Sequence, residues 1–266
     1  MERVLMMLGR ASGCSAEVWI NDIPVAAMGA TVGDVSLPIH EYILAGDNTI
    51  TLVIDPVFPH DPEFASTPKL AASEAYAHVR LLLPRVGELC SQNTARTLFE
   101  FGWTVAEGEI YQAPLVHNNQ VMLPIKFPRW RWMDAPKIDD FSQEKAKITA
   151  FLQRIAVAMA QGEFEPLITA SQLRLEELAV AYQQPVETVK SRFLSRLKLL
   201  HATKALKMTI PTLSELVLRP CANMRLVETL TADGSPMLKT LPAADGSRTA
   251  WPVRIAMVNG QCHIFR

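Results

Sequence analysis

The amino-acid sequence predicts two domains, an all-β sandwich over residues 1–135 followed by an α+β domain over residues 136–266. Three observations carry that expectation. Apolar residues alternate in short runs up to about residue 132, recur at helical spacing from about 140, and alternate again past 211. Residues 1–135 hold nine Lys/Arg against fifteen Asp/Glu, a net of −6, whereas residues 136–266 hold seventeen against twelve, a net of +5. The chain is 266 residues long, 49% hydrophobic and 20% charged, enough to bury a core in each half and unlike a disordered tail.

In the first half, Val18 to Ile20 and Ile23 to Val25 flank Asn21-Asp22, two residues that tolerate positive φ and so suit a hairpin turn. Thr49 to Ile54 follows an Ala45-Gly46-Asp47-Asn48 turn. Further strands are expected at Ala77–Leu83, Thr97–Trp103, Glu109–Gln112 and Gln120–Phe127. Pro56 to Pro68 contains four prolines in thirteen residues; the missing amide donors make it a surface loop. The run Val4 to Leu8 is shorter than the roughly 7–15 apolar residues of a secretory core. No stretch approaches the ~20 apolar residues of a membrane span. The expectation is a cytoplasmic protein.

In the second half, Ile148, Phe151, Leu152, Ile155 and Met159 mark a helix over residues 142–161, with Ser142 as N-cap and Gly162 as terminator. Leu173 to Tyr182 is a second helix. Val186 to about Lys204 is a third, with Pro185 at its first position. Strands follow at Leu216–Arg219, Arg225–Thr231, Met237–Leu241, Ala250–Val258 and Gln261–Phe265. Asp233-Gly234, Asp245-Gly246 and Asn259-Gly260 supply the turns.

Three segments resemble known families. Val18-Trp19-Ile20-Asn21-Asp22, with Gly46-Asp47-Asn48-Thr49-Ile50 further on, is similar to the galactose-binding-like jelly rolls attached to family-two glycoside hydrolases. Those carry a V-W-x-N-G strand-turn and then a G-x-N-x-L turn-strand; Asp22 stands where the family has glycine. The resemblance implies a jelly-roll-like accessory sandwich without catalytic residues. Leu178-Ala179-Val180-Ala181-Tyr182, the long third helix and the closing Val258-Asn259-Gly260-Gln261-Cys262-His263-Ile264 resemble the nuclear-transport-factor-two-like cone. That implies helices on a curved sheet enclosing a cavity. Glu177-Leu178-Ala179 with Pro185-Val186-Glu187-Thr188-Val189-Lys190-Ser191-Arg192-Phe193 is similar to the helix-turn-helix of extracytoplasmic-function sigma factors, with Gln183 in place of the turn glycine. That implies DNA contact by residues 177–200 through Lys190, Arg192 and Arg196, although at about 100° per residue the cations spread around the helix.

Candidate sites are few. Pro128-Arg129-Trp130-Arg131-Trp132 puts two indoles on one strand face. Exposed, they offer a platform for a sugar or base; otherwise they pack between the domains. Tyr182 and Trp251 are candidates to line a ligand cavity in the second domain. Glu228 and His263 form an imaginable acid–base pair there, with Arg225 and Arg254 on neighbouring strands. The six histidines lack ligand spacing, and His60-Asp61 is a surface-loop pair, so no metal is expected. Cys14, Cys90, Cys221 and Cys262 are scattered; free thiols are expected, although an even count permits one disulfide per domain. No phosphate loop or nucleophile elbow occurs, so no cofactor is expected. The function expected is non-catalytic binding through a protein interface, as an adaptor, chaperone-like factor or immunity-type inhibitor. The alternatives are a small-molecule or carbohydrate binder, an enzyme using the C-terminal cavity, and, last, a DNA-binding protein.

Overall fold

The computed structural model describes residues 4–30, 32–58, 66–85 and 95–266. Sheet predominates, with several antiparallel sheets and four α-helices among the described residues. Contacts divide the chain into two compact units, Met1–Arg129 and Trp130–Arg266.

The first unit contains β1 (Met6–Ser12), β2 (Ala16–Ile20), β3 (Ile23–Met28), β4 (Val35–Pro38), β5 (Gly46–Ile54), β6 (Thr67–Leu70), β7 (Ala75–Leu83), β8 (Arg96–Val105), β9 (Ile110–Ala113) and β10 (Leu115–Leu123). One four-stranded sheet runs β4-β1-β7-β8, another runs β10-β5-β2-β3, and β6 pairs with β9 in a ribbon. Alternate residues of both sheets enter one core. Met7, Val18, Ile20, Ile50, Leu52, Val79 and Leu81 are all fully buried there. Asn21 and Asp22 adopt φ of 53° and 63°, as their turn requires.

Several expectations need correction. The apolar run at Val4 to Leu8 leads into β1, a strand paired on both sides. The strand expected at residues 120–127 lies at Leu115–Leu123, because pairing with β5 extends it through Asn118 and Asn119, and Pro124 ends it. The proline-rich loop gives way at Thr67 to β6, where Pro68 is tolerated in a two-stranded ribbon. His60 and Asp61 lie outside the described residues, as does Cys90.

Asp55, at φ 47°, ties that ribbon to the rest of the unit. Its Oδ1 accepts from Ser15 N (3.0 Å) and Ser15 Oγ (3.2 Å), and its Oδ2 from Lys69 Nζ (2.8 Å) and Tyr111 Oη (2.5 Å). Burial alone would raise its pKa, but hydrogen bonds from Lys69, Tyr111 and Ser15 outweigh that and lower it.

The second unit contains α1 (Phe141–Gln161), α2 (Glu165–Ala170), α3 (Gln172–Ala181) and α4 (Val186–Ala202). They precede β11 (Val217–Cys221), β12 (Leu226–Leu230), β13 (Leu238–Lys239), β14 (Ala250–Trp251), β15 (Arg254–Val258) and β16 (Gln261–Ile264). The sheet order is β11-β12-β15-β16, with β13 and β14 as a separate pair. The N-cap of α1 is Asp140 rather than Ser142, because the Asp140 carboxylate accepts from the amides of Ser142 and Gln143. Gly162 closes the helix at φ 82°. The strand expected from 250 to 258 is split at Pro252. Helix α2 had no separate signal in the sequence.

One face of this sheet supplies Val227, Ile255 and Ile264 to a core shared with Ile148, Leu152, Ile155 and Met159 of α1. The other face carries a buried ionic triad. Arg219, Glu228 and Arg254 stand opposite one another on β11, β12 and β15. Glu228 accepts from Arg219 Nε at 2.9 Å and from Arg254 Nη2 at 2.8 Å, with all three residues at most 6% exposed. Glu228 therefore pairs with the two guanidiniums, and no hydrogen bond to His263 occurs among the described residues.

Glu228→Gln, which leaves two buried cations undercompensated, is expected to lower unfolding free energy by about 3–5 kcal/mol, whereas exchanging all three for apolar residues costs far less. Denaturant midpoints with unchanged slopes would measure both. Because the folded pKa of Asp55 lies below its unfolded value, its stabilisation is complete above about pH 4 and lost as pH falls through the folded value. Asp55→Asn is expected to remove that part of the acid loss, read as a flatter stability-versus-pH curve below about pH 4.

Candidate functional site

β10 is made by pairing rather than by propensity. Its central asparagines disfavour strands, yet all nine residues run opposite β5 from Leu115↔Ile54 to Leu123↔Gly46 without a register shift. Leu115, Val121 and Leu123 face the core. Val116, Asn118, Gln120 and Met122 project to the opposite face. Val116 is 54% exposed and Met122 74%.

Among the described residues the strand is the rim of its sheet, with β5 as its sole sheet partner. A rim strand presents unpaired N–H and C=O groups, and proteins guard such strands with charge, proline, bulges or shortness. The other three rims of the two sheets carry those guards. β4 has four residues and ends in Pro38; β3 holds Pro24 beside a register shift; β8 carries Arg96 and Glu100. β10 reads Leu-Val-His-Asn-Asn-Gln-Val-Met-Leu, with no acid, no Lys or Arg, no proline and no bulge.

Beside it lies a depression of about 510 Å³ lined by Asn21, Asp22, Thr49, Thr51, Asn118, Asn119 and Gln120. Thr51 Oγ1 donates to Asn118 Oδ1 at 2.6 Å. Two asparagines brace its end. Asn48, 1% exposed, accepts at Oδ1 from Leu44 N (2.7 Å) and Asn21 Nδ2 (2.8 Å), and donates through Nδ2 to Leu44 O (3.1 Å) and Gly46 O (2.9 Å). Asn21 also donates to Tyr42 O and accepts from Thr49 N. Asn21 and Asn48 hydrogen-bond to each other across 27 residues of sequence.

No family model, curated protein or solved structure matches the chain.

The residues singled out from sequence do not converge. Trp130 and Trp132 are 1% and 5% exposed, because the chain turns into a 3₁₀ segment at Arg131–Asp134 instead of continuing as a strand. Neither indole offers an open stacking face; the guanidinium of Arg266 lies 5.8 Å from the Trp130 ring centroid. Tyr182 caps α3 half-buried, and Trp251 on β14 packs against the second core. Among the described residues no three His, Cys, Asp or Glu cluster as a metal would need, and no helix is long and apolar enough to cross a membrane.

Helices α3 and α4 do pack together, and Gln183 takes φ 49° in the turn between them, the conformation a glycine adopts without strain. On α4, Lys190 is half-buried, Arg192 donates to Gln184 Oε1 at 2.8 Å, and Arg196 is exposed. The three cations do not form one stripe. The edge of β10 was missed from sequence, although its lack of charge and its near-palindrome about Asn119 are both readable there.

Asn48→Ala strands the Leu44 amide and one Asn21 donor in a buried setting. It is expected to cost about 2–4 kcal/mol and to raise hydrogen exchange at the β5–β10 end, measurable by denaturation and amide exchange.

Proposed function

We propose that this is a non-catalytic interaction protein, a β-sandwich over residues 1–135 followed by an α+β domain, acting through a protein interface in the manner of an adaptor, chaperone-like factor or immunity-type inhibitor. The interface is the β10 rim, and its first partner is a second copy of the chain. One observation carries this reading: the unguarded strand is nearly symmetric about Asn119. Set antiparallel to itself with Asn119 on the two-fold axis, it places Leu115 opposite Leu123, exposed Val116 opposite exposed Met122, and Asn118 opposite Gln120. A two-fold interface must be self-complementary in this way. Nine residues give about 30 Å of pairing edge, at the small end of interfaces and suited to a transient dimer.

The galactose-binding-like and nuclear-transport-factor-two-like resemblances belong to the same reading, the first supported by the Asn21–Asn48 bond. We place the protein in the cytoplasm, in keeping with Cys14, Cys221 and Cys262 being free thiols. Burial pushes the Cys14 thiol up to about 11, helped by the Asp55 charge, so it is unreactive near neutrality. A second reading, favoured by the amide- and hydroxyl-lined depression, is a carbohydrate binder using Thr49, Asn118 and Gln120. DNA binding through residues 177–200 ranks below both, because the α4 cations are dispersed.

Analytical ultracentrifugation tests the interface and its register. The wild type is expected to dimerise with a micromolar-range constant. Val116→Lys/Met122→Lys sets like charges opposite each other twice and should weaken the dimer roughly tenfold or more, whereas Val116→Lys/Met122→Glu sets opposite charges together and should restore it. Both positions are exposed, so folding survives. A wild type that stays monomeric to roughly a millimolar, or two double variants that behave alike, would overturn the proposal.

A further inference from the structure

A cavity of about 710 Å³ opens in the second unit between α1, α2 and β16. Its volume is in the range that holds a small organic ligand. The α1 wall is divided lengthwise. At about 100° per residue, Lys147 and Arg154 fall on one side of the lining face and Phe151 and Ile155 on the other. Pro166 and Ala170 of α2 extend the apolar side, and Cys262 comes from β16.

The two cations are not equivalent. Lys147 Nζ is 3.0 Å from Glu144 Oε1 on its own helix. Arg154 makes no ion pair or hydrogen bond among the described residues, and its side chain is exposed at the cavity. An arginine with five unused donors is suited to grip a planar oxyanion. Cys262 reports on the inner wall. Burial pushes its thiol up to about 11, with Glu144 adding to the rise and Arg154 and Lys147 opposing it. Burial thus keeps the thiol protonated, and its sulfur, 3.3 Å from Met257 Sδ, is no nucleophile near neutrality. A site with a free guanidinium, an apolar wall and an inert thiol binds rather than reacts.

We propose that this cavity is a binding site for an amphipathic carboxylate, a small molecule whose anionic head meets Arg154 and whose apolar body lies along Phe151, Ile155, Pro166 and Ala170. The head is drawn by the unpaired cation, and the body is held by area removed from water. Lys147, which also lines the cavity, is held by Glu144 in a surface pair and adds a second, weaker positive charge. Glu165, which accepts from Thr169 Oγ1 at 3.2 Å, closes the α2 side against a second anionic group and so favours a monoanion. The lining shares no residue with β10.

Isothermal titration of the full chain with decanoate, decanol and decyltrimethylammonium tests this, below the aggregation concentration of each. Decanoate is expected to bind roughly tenfold or more tightly than the cationic chain, with decanol between them. Arg154→Glu, an exposed position, should lose that preference or invert it, and Thr169→Trp, which fills the mouth, should weaken all three probes. Thermal unfolding of each variant without ligand shows whether the fold is kept. Undetectable decanoate binding by the wild type, equal affinity for the carboxylate and the cation, or an Arg154→Glu variant that folds and binds decanoate as before would overturn the assignment.

Discussion

Every strand in a sheet must find partners for its amides and carbonyls, and a strand at the rim finds them on one side alone. That constraint shapes the first unit. β1, β7, β2 and β5 are each flanked on both sides, and their buried residues fill the core. Three of the four rims carry the devices by which sheets avoid sticking to one another. The fourth runs nine residues with no acid, lysine, arginine, proline or bulge. The β5–β10 register, held over nine pairs, keeps the groups of that rim in a regular row.

In the second unit the organising interactions are ionic and buried. Glu228 holds Arg219 and Arg254 in lateral register across three strands. Glu177 on α3 accepts from the Arg131 amide at 2.5 Å and from Arg266 Nη1 at 2.6 Å, with Arg266 2% exposed. Apolar residues in those places would fill the same space with less desolvation. What the charges add is exclusivity: a strand slipped by one residue would strand a guanidinium without its carboxylate.

Local chemistry was legible in the sequence and pairing was not. The Asn21-Asp22 hairpin, the Gly162 stop and the helical stripe of α1 follow from side chains a few residues apart. β10 was misplaced because Asn118-Asn119 reads as a turn to any local rule, while β5, more than sixty residues earlier, decides otherwise. The candidate site suffered more than the fold. Being a rim is a property of which strands lie beside which, and no window of sequence contains it. Trp130 and Trp132 drew attention by type, yet the turn at Arg131 puts both out of reach of solvent. Residue type alone suggests Glu228 as a partner for His263, whereas the sheet sets two arginines beside it.

The connection between β11 and β12 carries a cost of its own. Ala222, Asn223 and Met224 take φ of 52°, 54° and 61°, three left-handed residues in succession without a glycine. L-residues resist that geometry by roughly 1–2 kcal/mol each. The loop is held from outside, by Ile138 N donating to Met224 O at 2.8 Å and by Arg225 reaching Ala135 O. Those two contacts tie the turn to the segment before α1, so the course of that segment and the geometry of the hairpin are set together.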